Sequence, residues 1–339
     1  MLASMPLADN VLALPLEVDG YELERRELAV SPEFTRVTTT VVLHGRGERG
    51  EGEDVTYQSA DHDGVPEALP LAGSWTLGNF SGELGREQLF TREPAWTASR
   101  DYRRWAFESA ALDLALRQAG RTLGEVVGRE YRPVRFVVST RGDAFAWLAA
   151  IPGLELKLDP TPEWDEAFMA RLAATGAVRV LDLKGWYRGT VVDLPPDPQL
   201  YRAVAASFPE AVIEDAWLED GLRDVLAGVE ARLSFDAPIH SLADVDALPV
   251  APRWLNVKPS RFGTLARLVE CIEGCLERGI RLYGGGQVEL GRGRRHIQVL
   301  ASLFYADAPN DTAPGVYNEG EPRPGLPASP LPPPEAIGF

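Results

Sequence analysis

From about residue 132 onward the chain repeats one pattern, a short apolar run followed by a longer stretch of helical periodicity. The runs are VRFVVST (134–140), LELKL (154–158), VRVLDL (178–183), AVIED (211–215), ARLSFD (231–236), RWLNVK (253–258) and RLYGGG (281–286). Runs so short and apolar suit strands covered on both faces. The segments between them, such as TLARLVECIEGCLERG (264–279), have the spacing of amphipathic helices. Strands alternating with helices imply parallel βαβ units. Seven such units in under 160 residues favour a (β/α) barrel over a doubly wound sheet.

The first third reads differently, as mixed α+β. TRVTTTVVLHG (35–45) is a β-branched strand, a charged glycine loop follows, and EDVTYQSA (53–60) is strand-like again, which predicts a hairpin. YRRWAFESAALDLALRQAG (102–120) predicts a long helix closed by Gly120. The expected organisation is therefore an α+β domain over residues 1–131, a barrel over 132–318, and a proline-rich tail over 319–339 lying extended on the surface.

Charges interrupt the apolar runs near their carboxyl ends, where parallel barrels gather functional groups. In chain order these are Lys157, Asp182, Glu214, Asp236, Lys258 and then Glu289 just past YGGGQ. Taken singly, a strand-end charge is a solvated loop residue or a salt-bridge partner. As an ordered set, three carboxylates on successive strands flanked by lysines make a hard oxygen site suited to Mg²⁺ or Mn²⁺. A lysine partly desolvated beside such a cation has a lowered pKa and can serve as a base. Lys184 shares a strand face with Asp182 and needs an acidic partner of its own.

Composition narrows the partners. Acidic residues outnumber basic ones, 50 to 34, and the net charge of −16 disfavours nucleic acid and anionic membrane. A small carboxylate substrate remains compatible, because a local site can oppose the overall field. Cys271 and Cys275 lie four residues apart on a helical stretch and read as reduced structural thiols. No apolar run approaches a membrane span and the amino-terminal stretch lacks a basic leader, so a cytoplasmic location is expected. A homo-oligomer is compatible with the sequence, without any interface signal to mark it. The spacing Gly45-x-Gly47-x-x-Gly50 follows a strand like a dinucleotide fingerprint, but acidic, non-helical ERGEGED follows it, so no bound nucleotide cofactor is expected. His44, His62, His240 and His296 show no metal-ligand spacing.

The ordered motifs resemble the enolase superfamily, and within it the muconate-lactonizing-enzyme-like, two-lysine subgroup related to mandelate racemase. WAFESAALDLALRQAG is similar to the last long helix of that family's capping domain. LELKL, RVLDLKGWY, VIEDAW, LSFDAPI and NVKPSRFGT are similar to its lysine and ligand strands, and YGGGQVELGRGRRHIQVLASLF to its seventh strand and following helix. The resemblance implies a modified TIM barrel, (β/α)7β, behind an N-terminal α+β cap. It implies an Mg²⁺-dependent isomerase or lyase that abstracts a proton α to a substrate carboxylate through an enediolate, with racemase, epimerase, cycloisomerase or dehydratase outcomes. Lys157 and Lys258 would be the catalytic lysines, Asp182, Glu214 and Asp236 the metal ligands, and Lys184 and Glu289 supporting pocket residues. The chain departs from the pattern at Glu155 for the first lysine of K-x-K, at Lys184 for the amide of D-x-N, and at Ala237 for an acid. These departures motivate a second reading, a barrel that has lost catalysis and serves in binding or assembly. A third is a Schiff-base lyase using Lys157 or Lys258.

Overall fold

The computed structural model describes residues 7–31, 34–190, 193–219 and 221–339. Helix α1 (Leu7–Leu12) precedes strands β1 (Pro15–Val18), β2 (Gly20–Ser31), β3 (Phe34–Gly45), β4 (Glu48–Asp54) and β5 (Gly73–Thr76). Strands β2, β3 and β4 form an antiparallel sheet, and β1 pairs with β5. Helices α2 (Leu77–Leu84), α3 (Ser99–Gln118) and α4 (Leu123–Val127) complete the cap. The turn between β3 and β4 is Arg46–Gly47, both at positive φ, as a tight hairpin requires.

The acidic glycine stretch ERGEGED was expected as loop and is instead strand β4. Gly50 and Gly52 explain why. A Cβ at either position would overlap the backbone of α3, at Ala110 O and Ala106 O respectively, so α3 lies directly on the bare strand. The glycine spacing that resembled a nucleotide fingerprint serves a turn and this close packing.

The barrel then alternates in order. Strands β6 (Val138–Thr140), β7 (Leu156–Leu158), β8 (Val178–Asp182) and β9 (Val212–Glu214) are separated by α5 (Ala144–Ala150), α6 (Glu166–Ala174) and α7 (Pro198–Ser207). Strands β10 (Leu233–Phe235), β11 (Trp254–Val257) and β12 (Arg281–Gly284) follow, with α8 (Leu222–Val225), α9 (Leu242–Asp246), α10 (Leu265–Glu277) and α11 (Arg292–Phe304) in the matching places. The seven strands pair in parallel in chain order. Asp143, Asp165, Asp197, Ser241 and Thr264 cap the amino ends of α5, α6, α7, α9 and α10, which sets where each helix begins. Between β12 and β6 the eighth place is filled by irregular chain. Asp311 N donates to Gly284 O at 2.7 Å, and Val137 N to Asn310 O at 2.8 Å. The fold is thus a modified (β/α)7β barrel with an N-terminal cap. Cys271 and Cys275 are free and buried on α10.

Charged cap residues join the two parts. Glu53 of β4 accepts from the N–H groups of Leu290, Gly291 and Gly293 at the start of α11. Glu108 of α3 accepts from Leu265 N at the start of α10. The first N–H groups of a helix have no partner within it, and the carboxyl oxygens of both acids supply one, docking the cap onto barrel helices. Arg36 of β3 donates to the carbonyls of Val55, Thr56, Gln287 and Val288, holding the loop after β12. The proline-rich tail is only partly a surface strap: Leu331 bonds Val134, and Phe339 is buried against Trp105 and His296.

Candidate active site

Side chains from the carboxyl ends of β7 to β11 meet in the barrel mouth beneath the cap. Lys157 of β7 reaches Glu214 Oε1 at 2.5 Å and Asp182 Oδ2 at 3.3 Å. Lys184 pairs with the same Asp182 Oδ2, and its own N–H donates to Oδ1 at 3.1 Å. Glu214 Oε2 accepts from the Tyr283 hydroxyl, and Asn256 Nδ2 lies 3.3 Å from both its oxygens. Asp236, just past β10, is held by Lys258 at 2.6 Å, by Arg261 Nε at 3.2 Å and by the Tyr187 hydroxyl at 3.0 Å. Asp182, Glu214 and Asp236 are fully buried and Lys157 nearly so, while the side chains of Arg261, Lys258 and Lys184 are 7%, 9% and 12% exposed.

Of the residues singled out from the sequence, Lys157, Asp182, Lys184 and Glu214 therefore form one contact network, with Asp236 and Lys258 paired beside it. Glu289 lies apart. Its carboxylate accepts from Gln287 N and meets Arg294, and it faces Glu53 beneath the cap. Trp186 packs on Trp217 and Phe235, and His240 sits at the edge between Arg261 O and Asp101.

Besides Tyr283 and Asn256, three charged participants were not picked out from the sequence. Asp215 follows Glu214, and strand alternation would send it to the opposite face; its backbone is left-handed, φ 52°, which turns it inward. Its carboxylate accepts from Asp236 N and Ala237 N. Among the described residues, the acids whose ligand atoms lie within 4.8 Å of one another are Asp182, Glu214 and Asp215. Arg261 sits in the turn after Lys258, and Asp311, 3.8 Å from Lys157, comes from the irregular eighth place. A basic residue three positions past a strand-end lysine was the available clue for Arg261; nothing local marks Asp311.

Electrostatics follow from this crowding. Burial, then the neighbouring acids, push Glu214 up to about 8 and Asp215 up to about 7, though Lys157 pulls Glu214 back. Burial would also raise Asp182 and Asp236, but Lys184 and Lys157, and Arg261 and Lys258, hold them well below the usual carboxylate range. Burial pulls Lys157 down, and Glu214, Asp182 and Asp311 more than reverse it, so the free site holds an ammonium. The donor set consists of carboxylate oxygens, which fits a hard divalent cation. Asp236 Oδ1, moreover, is buried and accepts no well-directed hydrogen bond, Arg261 Nε standing 3.2 Å from it as an ion-pair contact.

The structure matches a dipeptide epimerase of Methylococcus capsulatus, solved with Mg and the dipeptide L-Arg-D-Lys, at TM-score 0.68 and 18% identity, covering 89% of this chain and 92% of that one. It matches a muconate cycloisomerase of Pseudomonas fluorescens at TM-score 0.65 and 16% identity, covering 88% and 87%. These likenesses are of fold, a capped and modified (β/α)7β barrel. An N-succinylamino acid racemase of Amycolatopsis is 28% identical over 225 residues, which is 61% of this chain and 59% of the racemase. The chain belongs to the family described as domain of unknown function DUF8230, whose C-terminal domain model matches residues 130–319 and whose N-terminal model matches residues 9–126.

Proposed function

We propose that this protein is an enzyme that removes and returns the proton α to the carboxylate of a small substrate, assisted by Mg²⁺ or Mn²⁺. The observation that carries the reading is the placement of its two strand-end lysines. Lys157 on β7 and Lys258 after β11 are separated by β8, β9 and β10 in a ring of eight places, so they approach the mouth from opposite sides. A pair so placed can address both faces of one carbon. The racemase and epimerase relatives support a racemisation or epimerisation outcome, and they point to N-substituted α-amino carboxylates as the first substrates to test.

Asp182, Glu214 and Asp236 would hold the cation, with Asp215 beside them fixing the backbone of Asp236. Bound there, a divalent cation would supply positive charge to the substrate carboxylate as the α-carbon becomes electron-rich. Lys157 and Lys258 remove and return the proton. Lys157 can do so only once the charge of Glu214 and Asp182 is taken up elsewhere, because those carboxylates otherwise keep it protonated. The buried mouth keeps water from the exchanging proton, and Tyr283 and Asn256 hold Glu214 in place.

The test is exchange of the α-hydrogen in D₂O with Mg²⁺, followed by proton NMR on N-acylated amino acids and dipeptides of either hand. Wild type should exchange both enantiomers of its substrate. Lys157→Met should lose exchange from one hand and Lys258→Met from the other, by about a hundredfold or more. Exchange surviving undiminished in both variants would refute the lysine roles. No exchange with any carboxylate tried would count for a barrel that binds without reacting.

A further inference from the structure

Lys184 occupies Asp182 with both its backbone and its side chain. Its N–H holds Oδ1 at 3.1 Å and its ammonium holds Oδ2. The backbone there has φ 55°, a left-handed conformation that lysine seldom adopts. The side chain is also within reach of a second acid. Asp159, one residue past β7, presents Oδ1 at 3.6 Å from the Lys184 ammonium, while its Oδ2 is held by Arg141 at 2.8 Å. The ammonium thus stands between two carboxylates and rests on the one that a metal ion would need.

Asp182 is fully buried and Lys157 also lies 3.3 Å from it. A divalent ion brought against Asp182 would face two ammonium groups at close range, a strong repulsion where water is excluded. Lys157 is tied to Glu214 at 2.5 Å, a bond that holds it at its place even with Asp311 3.8 Å away, whereas Lys184 has its bond to Asp182 and, at 3.6 Å, Asp159.

We infer that Lys184 is a tethered rival of the divalent cation for Asp182, and that Asp159 is the berth to which its ammonium moves when the cation binds. This rests on the metal-assisted reading above. The protein would then carry its own counter-ion when metal-free, with a weakened metal affinity as the consequence. Asp159 would set that affinity without being a ligand.

The experiment measures metal affinity rather than turnover. Mg²⁺ is titrated calorimetrically and Mn²⁺ by electron paramagnetic resonance, at one pH, into wild type, Lys184→Met, Lys184→Asn, Asp159→Asn and the double variant K184M/D159N. Lys184→Met should tighten both ions by about tenfold or more. Lys184→Asn, whose side chain tolerates the left-handed backbone, should do the same and guards against a folding defect. Asp159→Asn should weaken binding by about threefold or more with Lys184 present, and should have almost no effect in the Lys184→Met background. Lysine variants that bind no more tightly than wild type would overturn the inference. So would an Asp159→Asn effect equal in both backgrounds, which would mark simple charge loss. Equal, tight binding by every protein overturns the inference and leaves the metal-assisted reading standing. Binding by none overturns both.

Discussion

Replacing Glu53 by alanine removes the acceptor at the start of α11 and the principal polar link between cap and that helix. Three donors lose their partner: Leu290 N at 2.6 Å, Gly291 N at 3.0 Å and Gly293 N at 2.9 Å. An unsatisfied buried donor costs about 1–3 kcal/mol. Water entering the vacated space can serve the two half-buried donors, so the lower end applies and the total is about 3 kcal/mol. Glu53→Gln keeps a carbonyl for these donors while removing a buried charge that faces Glu289, so its cost at neutral pH is about 1 kcal/mol or less. The pH dependence separates the two effects. Burial, then Glu289, raise the Glu53 pKa above its ordinary value. The folded state therefore holds that proton more tightly than the unfolded chain. The wild type accordingly loses stability as pH rises from the ordinary carboxylate range through the folded pKa. Glutamine does not titrate, so the gap between wild type and Glu53→Gln should narrow with rising pH. Urea unfolding at several pH values measures both quantities. A Glu53→Ala midpoint equal to wild type, or a gap that widens with pH, would refute the reasoning.

Three further outcomes follow from the same geometry. Arg103→Met strips Asp54 of a buried partner at 2.8 Å and also leaves the Leu89 and Asp61 carbonyls without a donor, so urea unfolding should show a loss of about 3–5 kcal/mol. Gly52→Ala drives a methyl into Ala106 O and should destabilise by about 3 kcal/mol, whereas Gly47→Ala meets open space and pays only for its positive φ, about 1 kcal/mol. Glu214, pushed up to about 8, binds a proton more tightly folded than unfolded, so metal-free protein should lose thermal stability as pH rises from the ordinary carboxylate range through that value. Glu214→Gln should flatten that slope, and a slope unchanged in the variant would show that the titration lies elsewhere.

The barrel was legible because each of its strands is a local event. A buried parallel strand needs an apolar run, the helix after it needs periodicity and a cap, and all of these lie within a few residues of one another. The charges at the strand ends were legible for the same reason, since a costly residue in an apolar run stands out. Asp215 was missed because the alternation rule assumes an extended backbone, and at φ 52° that assumption fails. Strand β4 was missed because its glycines are explained only by α3, which follows more than forty residues later. The partners across the molecule of Glu53, Glu108 and Arg36 were beyond local reading. These lie 240, 157 and 251 residues away, and nothing near the three residues in the chain shows which helix or loop they will hold.

Backbone strain gives the site a second signature. Among the described residues four that are not glycine have positive φ: Arg46, Lys184, Asp215 and Val288. Arg46 is a hairpin turn, but the other three stand at the carboxyl rim of the barrel, after β8, β9 and β12. For lysine and valine the conformation costs about 1–2 kcal/mol, for aspartate less, and it survives only where the surroundings impose it. The restraint can be named in every case. Lys184 is tied to Asp182 at both ends, Asp215 to the N–H groups after β10, and Val288 to Arg36 of the cap through its carbonyl. Two of these restraints are internal to the charged cluster and one comes from the cap. The cap therefore shapes the loop bearing Gln287 and Glu289, while Asp182, Glu214 and Asp236 are positioned by the barrel alone. A change at Arg36 should accordingly disturb that loop and leave the carboxylates in place.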